Sequence, residues 1–202
     1  MVGKTSISKR FITGKFVKID INDRTVNTNC YQKRIQVHDS IINLNVWDTA
    51  GEEKYHAMAP IFYRGADGAV VIFDVTKKET FNRATKWFHE LNEFAEGNPK
   101  IILVGNKIDL TNRQVTKEEA ISLAQQYKCN FLEVSALLGT NVDEVFNSLT
   151  LDIYNGKGKN SLEISNEHNE VENGRKKSKG KKLNIVANND NLPSSSRKGS
   201  CC

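Results

Sequence analysis

The 202-residue chain predicts an α/β domain with a mostly parallel, doubly wound sheet, followed by a disordered tail. Three observations carry that prediction. Short, nearly continuous apolar runs alternate with amphipathic stretches of helical period, the pattern of strands covered on both faces by helices. One early pair of segments alternates apolar and polar residues instead, the pattern of a half-covered antiparallel hairpin. After Tyr154 both periods stop.

Taken in order, "TSISKRFI" directly after Gly3 and Lys4 reads as a helix start. "RTVNTNCYQKRIQV" and "IINLNVW", joined by "HDS", form the hairpin, with "INLNVW" alternating in and out. "GAVVIFDVT", "IILVGNK" and "NFLEVSA" are the buried parallel strands. Between and after them lie three helices. "KETFNRATKWFHELNEFAEG" places Phe81, Ala84, Phe88 and Leu91 on one face. "TKEEAISLAQQYK" opens with a Thr116-x-x-Glu119 capping box, and "NVDEVFNSLTLDIYN" closes the folded part. Residues 156–202 are rich in Asn, Ser, Lys and Gly, with too little apolar surface to offset ordering entropy, so they are expected to be disordered. The domain division is therefore 1–155 and 156–202, without an internal repeat.

Charge follows the same division. Residues 156–202 hold ten Lys/Arg and five Asp/Glu, which is the whole chain's net +5, while residues 1–155 balance to zero. The basic pI therefore describes a tail and does not argue for nucleic-acid binding. Cys30, Cys129, Cys201 and Cys202 have no metal-ligand spacing and follow no secretory signal, which predicts a reducing compartment. No apolar run approaches the roughly 20 residues that span a bilayer, so membrane contact is expected from the tail alone.

In an open parallel sheet, ligands sit at the carboxyl ends of the strands, and four short motifs fall there. Gly3-Lys4-Thr5 has the form of the end of a phosphate-binding loop: helix-start amides face phosphate, the lysine adds charge, and the threonine hydroxyl can take Mg²⁺. Alone, it is equally a basic helix start. Asp48-Thr49-Ala50-Gly51 follows the hairpin strand; Asp48 can hold a magnesium-bound water and Gly51 can turn an amide toward a terminal phosphate. The bland alternative is an ordinary turn. Asn106-Lys107-Ile108-Asp109 is the most specific. The Asp109 carboxylate can accept from both the N1–H and the amine of guanine, a pattern adenine lacks, and a buried carboxylate left unpaired costs affinity. Ser135-Ala136, whose backbone amide could meet guanine O6, matters only through its place in this order.

With these motifs the chain resembles the Ras-like small GTPases, and within them the Rab proteins, over about residues 3–155. "WDTAGEEKYHAMAPIFYRGADGAVVIFDVT" is similar to the Rab second switch and the strand after it, "YHAMAP" is most like the endosomal subgroup, and "GNKIDL" adds to the match. The resemblance implies a three-layer P-loop NTPase fold, the Ras-like G domain, binding GTP and GDP with Mg²⁺. Carried over residue by residue, it puts Gly3, Lys4, Thr5 and Ser6 in the phosphate loop, with Lys4 on the β- and γ-phosphates. Thr5 and Thr25 would bind Mg²⁺ directly, Thr25 only with GTP, and Asp48 through water. Gly51 would meet the γ-phosphate, and Asn106, Lys107, Asp109, Ser135, Ala136 and Leu137 would surround the base. Lys4 and Glu52 would be the catalytic pair. Partners implied are an exchange factor, an activating protein, a dissociation inhibitor, an escort protein and effectors that read both switches, with no nucleic acid.

The chain departs from the family pattern in several places. Before Gly3 there are only Met1 and Val2. A central strand and half of the phosphate loop are therefore expected to be missing, leaving a gap in the sheet, and a preceding segment of about ten residues is inferred. Glu52 stands where the family has a water-orienting glutamine; a carboxylate cannot donate to the transition-state oxygens, which predicts slow intrinsic hydrolysis. Leu137 replaces a lysine that packs on the base. Cys30 replaces an aromatic of the effector surface, whose other two places hold Trp47 and Tyr63; from the residues alone, these two are equally half-buried hairpin and helix residues.

Cys201-Cys202 end the sequence behind a basic run at residues 175–182. The resemblance makes them a prenylation pair: two chains anchor stably where one is marginal, and basic residues add about 1 kcal/mol each near anionic lipid. The expected protein is a switch tethered to the cytoplasmic face of endosomal or other vesicle membranes, with a soluble pool. A non-hydrolysing membrane-tethered scaffold, or a defective truncated GTPase, is the alternative that Glu52 and the short phosphate loop keep open.

Overall fold

Alternation of periods in the sequence is realised as an open six-stranded sheet between two helical layers. The computed structural model describes residues 1–18, 28–49, 63–156 and 181–188. Helix α1 (Lys4–Thr13) comes first and buries Lys4, Ile7, Ser8 and Phe11, one face at helical spacing. It ends on Gly14, whose φ of 69° suits a residue without a side chain. Strands β1 (Asn29–Val37) and β2 (Ser40–Asp48) form the predicted antiparallel hairpin. Strand β3 (Gly68–Asp74) is buried at every position, helix α2 (Lys78–Phe94) packs its Ala84, Phe88 and Leu91 face inward, and β4 (Lys100–Asn106) follows. Helix α3 (Lys117–Gln126) carries the reciprocal Thr116–Glu119 capping box. Strand β5 (Asn130–Val134) and helix α4 (Val142–Gly156) complete the part assigned to the domain.

One further element changes the architecture. Residues Lys181–Asn188, expected to be part of a disordered tail, form strand β6. The sheet order is β1-β2-β6-β3-β4-β5, so β6 occupies the middle and runs parallel to both β2 and β3. The expected gap in the sheet is therefore filled from the opposite end of the sequence. Leu183, Ile185 and Ala187 enter the core shared by α1, α4, β2, β3 and β4, while Val186 enters the core under α2 and α3. All four are at most 1% exposed. This is the period-2 alternation of a strand covered on both faces. Burying Leu183, Ile185 and Val186 stabilises by about 1.5–3 kcal/mol per side chain. Lys181 and Lys182, counted in the basic run, are the first two residues of this strand.

Polar pairing fixes the register of β6. The Asn184 amide donates to the Asp67 carboxylate at 2.8 Å, and the Asp67 amide donates to the Asn184 carbonyl at 2.9 Å. The Asn45 side chain donates to the Asn184 side-chain oxygen at 3.1 Å. A one-residue slip would break all three and turn Leu183 and Ile185 to the opposite face.

Across the sheet, Phe146 of α4 stacks on Phe11 of α1 with ring centroids 4.0 Å apart. Phe146 is fully buried. Phe146→Ala is expected to lower unfolding free energy in urea by about 3–5 kcal/mol. Leu151→Ala, on the exposed side of the same helix, is expected to cost less than about 1 kcal/mol; equal costs would mean that the two helices do not pack as described.

Candidate functional site

The parallel strands all point their carboxyl ends toward one edge, and four of the sequence motifs meet there. Gly3 precedes α1 with φ 94°, a left-handed conformation, and a Cβ on it would lie 2.5 Å from the Asn106 side-chain nitrogen. Only glycine fits that backbone and that contact. The N-terminus of α1 has no side-chain cap. Its first turn carries Lys4, 4% exposed, with Thr5 and Ser6 half-buried.

Asp48, the last residue of β2, is fully buried. Neither of its carboxylate oxygens has a hydrogen-bond partner of normal geometry among the described residues. Burial pushes its pKa up, and the nearby Lys4 charge and Thr5 hydroxyl only partly oppose this. A buried, under-satisfied carboxylate beside a helix-start hydroxyl is a site with unmet demand for a cation. Thr5 and Asp48 fit a hard, oxygen-loving ion such as Mg²⁺, which keeps several waters and is held by only one or two carboxylates.

The second half of the site is built around Asn106, at the end of β4. Its side-chain nitrogen donates to the Val2 carbonyl at 2.8 Å and its oxygen accepts from the Ala136 amide at 3.2 Å. One buried carboxamide thus ties the segment before α1 to the loop after β5. Lys107 has φ 71°; its ammonium pairs with Asp74 at 2.5 Å and donates to the Met1 carbonyl at 3.1 Å. Asp109 accepts from the Ser135 hydroxyl at 2.5 Å through one oxygen. Ser135 Oγ in turn accepts from the Leu138 amide at 3.0 Å. Among the described residues no hydrogen bond reaches the other Asp109 oxygen, which leaves acceptor capacity at that edge. Leu137 is half exposed beside it.

Three supporting groups were not singled out from the sequence. Asp74, fully buried at the end of β3, accepts from the Thr76 amide and hydroxyl at 2.9 and 2.7 Å, which holds it toward Lys107. The D-x-T at a strand end was the available signal, an Asx-type turn. Arg10 of α1 donates to the Leu138 carbonyl at 3.2 Å, linking the helix to the β5 loop. The third is β6 itself: the Thr49 hydroxyl donates to the Ala187 carbonyl at 2.5 Å, immediately after Asp48.

Thr25, Gly51, Glu52, Cys201 and Cys202 lie outside the described residues. Of the effector-surface positions, Trp47 is half-buried opposite Cys30 in the β1–β2 ladder. Tyr63 is 1% exposed, so it is a core residue here rather than a surface aromatic. Among the described residues no helix is long and apolar enough to cross a membrane.

A buried lysine and hydroxyl at a glycine-led helix start, set between an acidic strand end and an Asn-Lys-x-Asp turn, define a P-loop guanine-nucleotide-binding domain. The chain belongs to the Ras family, whose sequence profile matches residues 1–155, and to the Rab-type small GTPases within it. It is 42% identical over 147 residues to the Ras-related protein RABF2b of Arabidopsis thaliana, covering 71% of this chain and 72% of that protein. To Ras-related protein Rab5A of Oryza sativa subsp. japonica it is 40% identical over 158 residues, 77% and 76% of the two chains. To Ras-related protein Rab11A of Lotus japonicus it is 39% identical over 162 residues, 80% and 71%. It is accordingly a small GTPase of the kind that regulates vesicle traffic. That class binds GTP and GDP with Mg²⁺, hydrolyses GTP, and works with exchange factors, activating proteins, dissociation inhibitors and effectors.

The raised pKa of Asp48 carries a sign. Because the folded state holds its proton more tightly, ionisation costs stability as pH rises from the ordinary carboxylate value of 3.8 through the raised folded value, and the full cost applies above it. At pH 7, without nucleotide and with EDTA, Asp48→Asn is expected to melt at a higher temperature than the wild type. The same substitution should abolish the gain in nucleotide affinity that Mg²⁺ provides. A lower melting temperature with an intact Mg²⁺ effect would remove Asp48 from the cation site.

Proposed function

We propose that this chain is a guanine-specific, Mg²⁺-dependent switch with slow intrinsic GTP hydrolysis, anchored to endosomal or related vesicle membranes through Cys201 and Cys202. The observation that carries the reading is Asn106: one side chain holds the phosphate-side Val2-Gly3 backbone and the base-side Ala136 amide in a single frame. On one side of it lie Lys4, Thr5 and Asp48, which would meet the phosphates and the cation. On the other lie Asp109 and the Ser135-Ala136 backbone, which would read the guanine edge. Leu137 would cover the base by apolar contact.

In this reading Thr25 and Gly51 contact the γ-phosphate and Mg²⁺, and ordering of their loops signals the GTP state to effectors. Glu52 supports slow hydrolysis, since it can accept from the attacking water but cannot donate to the developing charge and repels the phosphates. An activating protein that supplies its own polar groups would restore turnover. Glu52 also favours the second reading, a GTP-loaded scaffold that does not cycle.

Calorimetric titration of the full chain separates these from a non-guanine site: GDP and GTP are expected to bind at least 100-fold more tightly than ATP, and Asp109→Ala to erase that preference. Equal affinity for ATP and GTP would overturn the assignment. In single-turnover assays Glu52→Gln is expected to raise intrinsic hydrolysis by about tenfold. A wild type as fast as the variant would dismiss the slow-switch reading, and bound GTP in the purified chain with no turnover would favour the scaffold.

A further inference from the structure

The loop after β5 carries Ser135 and Ala136 to the base side of the site, and its far end is held without much burial. Ala136 is buried, but Leu137 and Leu138 are 50% and 64% exposed, so apolar packing does little to fix the turn beyond it. Polar links do that instead. Asn106 holds the loop at the Ala136 amide. Arg10, in the last turn of α1, holds it two residues later, where Nη2 donates to the Leu138 carbonyl at 3.2 Å. The next residue, Gly139, has φ 84°, and a Cβ built there would fall on the guanidinium, 2.9 Å from Nε and 3.0 Å from Cζ. The guanidinium therefore lies against the glycine backbone. A side chain at 139 would both strain that backbone and displace Arg10.

From Leu138 the links continue to the carboxylate that faces the base side. The Leu138 amide donates to Ser135 Oγ at 3.0 Å, and the Ser135 hydroxyl donates to Asp109 at 2.5 Å. The Gly139 amide donates to the Ser135 carbonyl at 2.7 Å and closes the turn. Arg10 thus pins the residue whose amide sets the Ser135 hydroxyl. Six residues separate it from Lys4, about 9 Å of helix. One rigid helix carries a phosphate-side lysine at its start and an anchor of the base loop near its end.

We propose that Arg10, laid over Gly139, is a positioning residue for guanine recognition: it keeps the 135–139 turn closed, so that Ser135 holds Asp109 toward the amine edge of the base. This rests on the nucleotide reading given above, and Arg10 acts through Ser135 rather than on the nucleotide itself. A guanidinium suits the task. Its flat face covers the glycine backbone while an N–H on its edge reaches the carbonyl, two contacts that a compact ammonium does not make together. A charged donor also makes one of the stronger hydrogen bonds to a carbonyl. Thr5 and Asp48 lie at the other end of α1, so Arg10 bears on the base half of the site and not on the cation half.

Inosine diphosphate (IDP), which lacks the exocyclic amine of GDP, separates positioning from general support. In calorimetric titrations of the full chain with Mg²⁺, Arg10→Ala is expected to weaken GDP binding about tenfold and IDP binding only about threefold, so the preference for the amine shrinks. Arg10→Lys keeps the charge at the helix end but not the flat face, and is expected to lower the same preference about twofold. The gain in GDP affinity that Mg²⁺ provides should stay within about twofold of wild type in both variants, since the cation half is untouched. Equal losses of GDP and IDP, or wild-type affinities for both, overturn the proposal, and so does loss of the Mg²⁺ gain. Should Arg10→Ala fail to fold, the GDP-to-IDP ratio of Arg10→Lys decides, and an unchanged ratio overturns the positioning role. A wild type that does not prefer GDP to ATP overturns the nucleotide reading and this inference with it. A wild type that keeps that preference, beside variants with an unaltered GDP-to-IDP ratio, overturns this inference alone.

Discussion

Backbone hydrogen bonding on both sides of β6 is the constraint from which the rest of the structure follows. A central strand satisfies its own amides and carbonyls and also one edge of each neighbour, so removing it would leave β2 and β3 with unpaired backbone groups in an apolar interior. Because β6 is covered on both faces, it also couples the two helical layers: Leu183, Ile185 and Ala187 pack under α1 and α4, and Val186 under α2 and α3. The two cores meet across this strand as they do across β3, β4 and β5. On one face the side chains of β6 share a core with Val2, Ile7 and Phe11, beneath helix α1.

Upon that frame the site is assembled by a few buried polar links. Asn106 joins the backbone before α1 to the loop after β5, and Lys107 reaches from the same turn to Asp74 and Met1. These groups sit where water is scarce, so each hydrogen bond is strong and each unpaired atom expensive. The contrast with Asp48 is informative. Asn106 is satisfied by protein on both ends, whereas Asp48 is buried with a raised pKa and no well-formed partner among the described residues. One is satisfied by the protein alone, and the other keeps acceptor capacity that fits the cation proposed for this site. Neighbouring buried residues of similar polarity thus divide into frame and reactive face by how completely the protein satisfies them.

Most of the architecture was legible locally. The hairpin, the three apolar parallel strands, the helices and the Thr116 capping box lie within a residue or a few of where periodicity and end signals put them. The motif positions were legible too, since strand-end placement follows from the order of elements, and the structure brings Gly3, Lys4, Thr5, Asp48, Asn106, Asp109, Ser135 and Ala136 to one edge. Two things escaped. Asp74 and Arg10 support the site through contacts with Lys107 and Leu138, and a supporting residue has no motif of its own. Tyr63, expected at a surface, is core. Solvent exposure of an aromatic at an element boundary depends on what packs over it.

The largest departure was β6. "KLNIVAN" contains a correct strand alternation, but only four apolar side chains stand among a long run of polar ones, too few to organise anything alone. A strand of that size is stable only when a matching slot exists, and the slot is defined by β2 and β3, more than a hundred residues earlier. Amino-acid order by itself settled the periods, the turn residues, the caps and the chemical types at each strand end, because those depend on neighbours a few residues apart. Which segment occupies the middle of the sheet was decided only in three dimensions, because strand pairing and two-sided burial are satisfied by whatever chain lies close enough, regardless of its distance along the sequence.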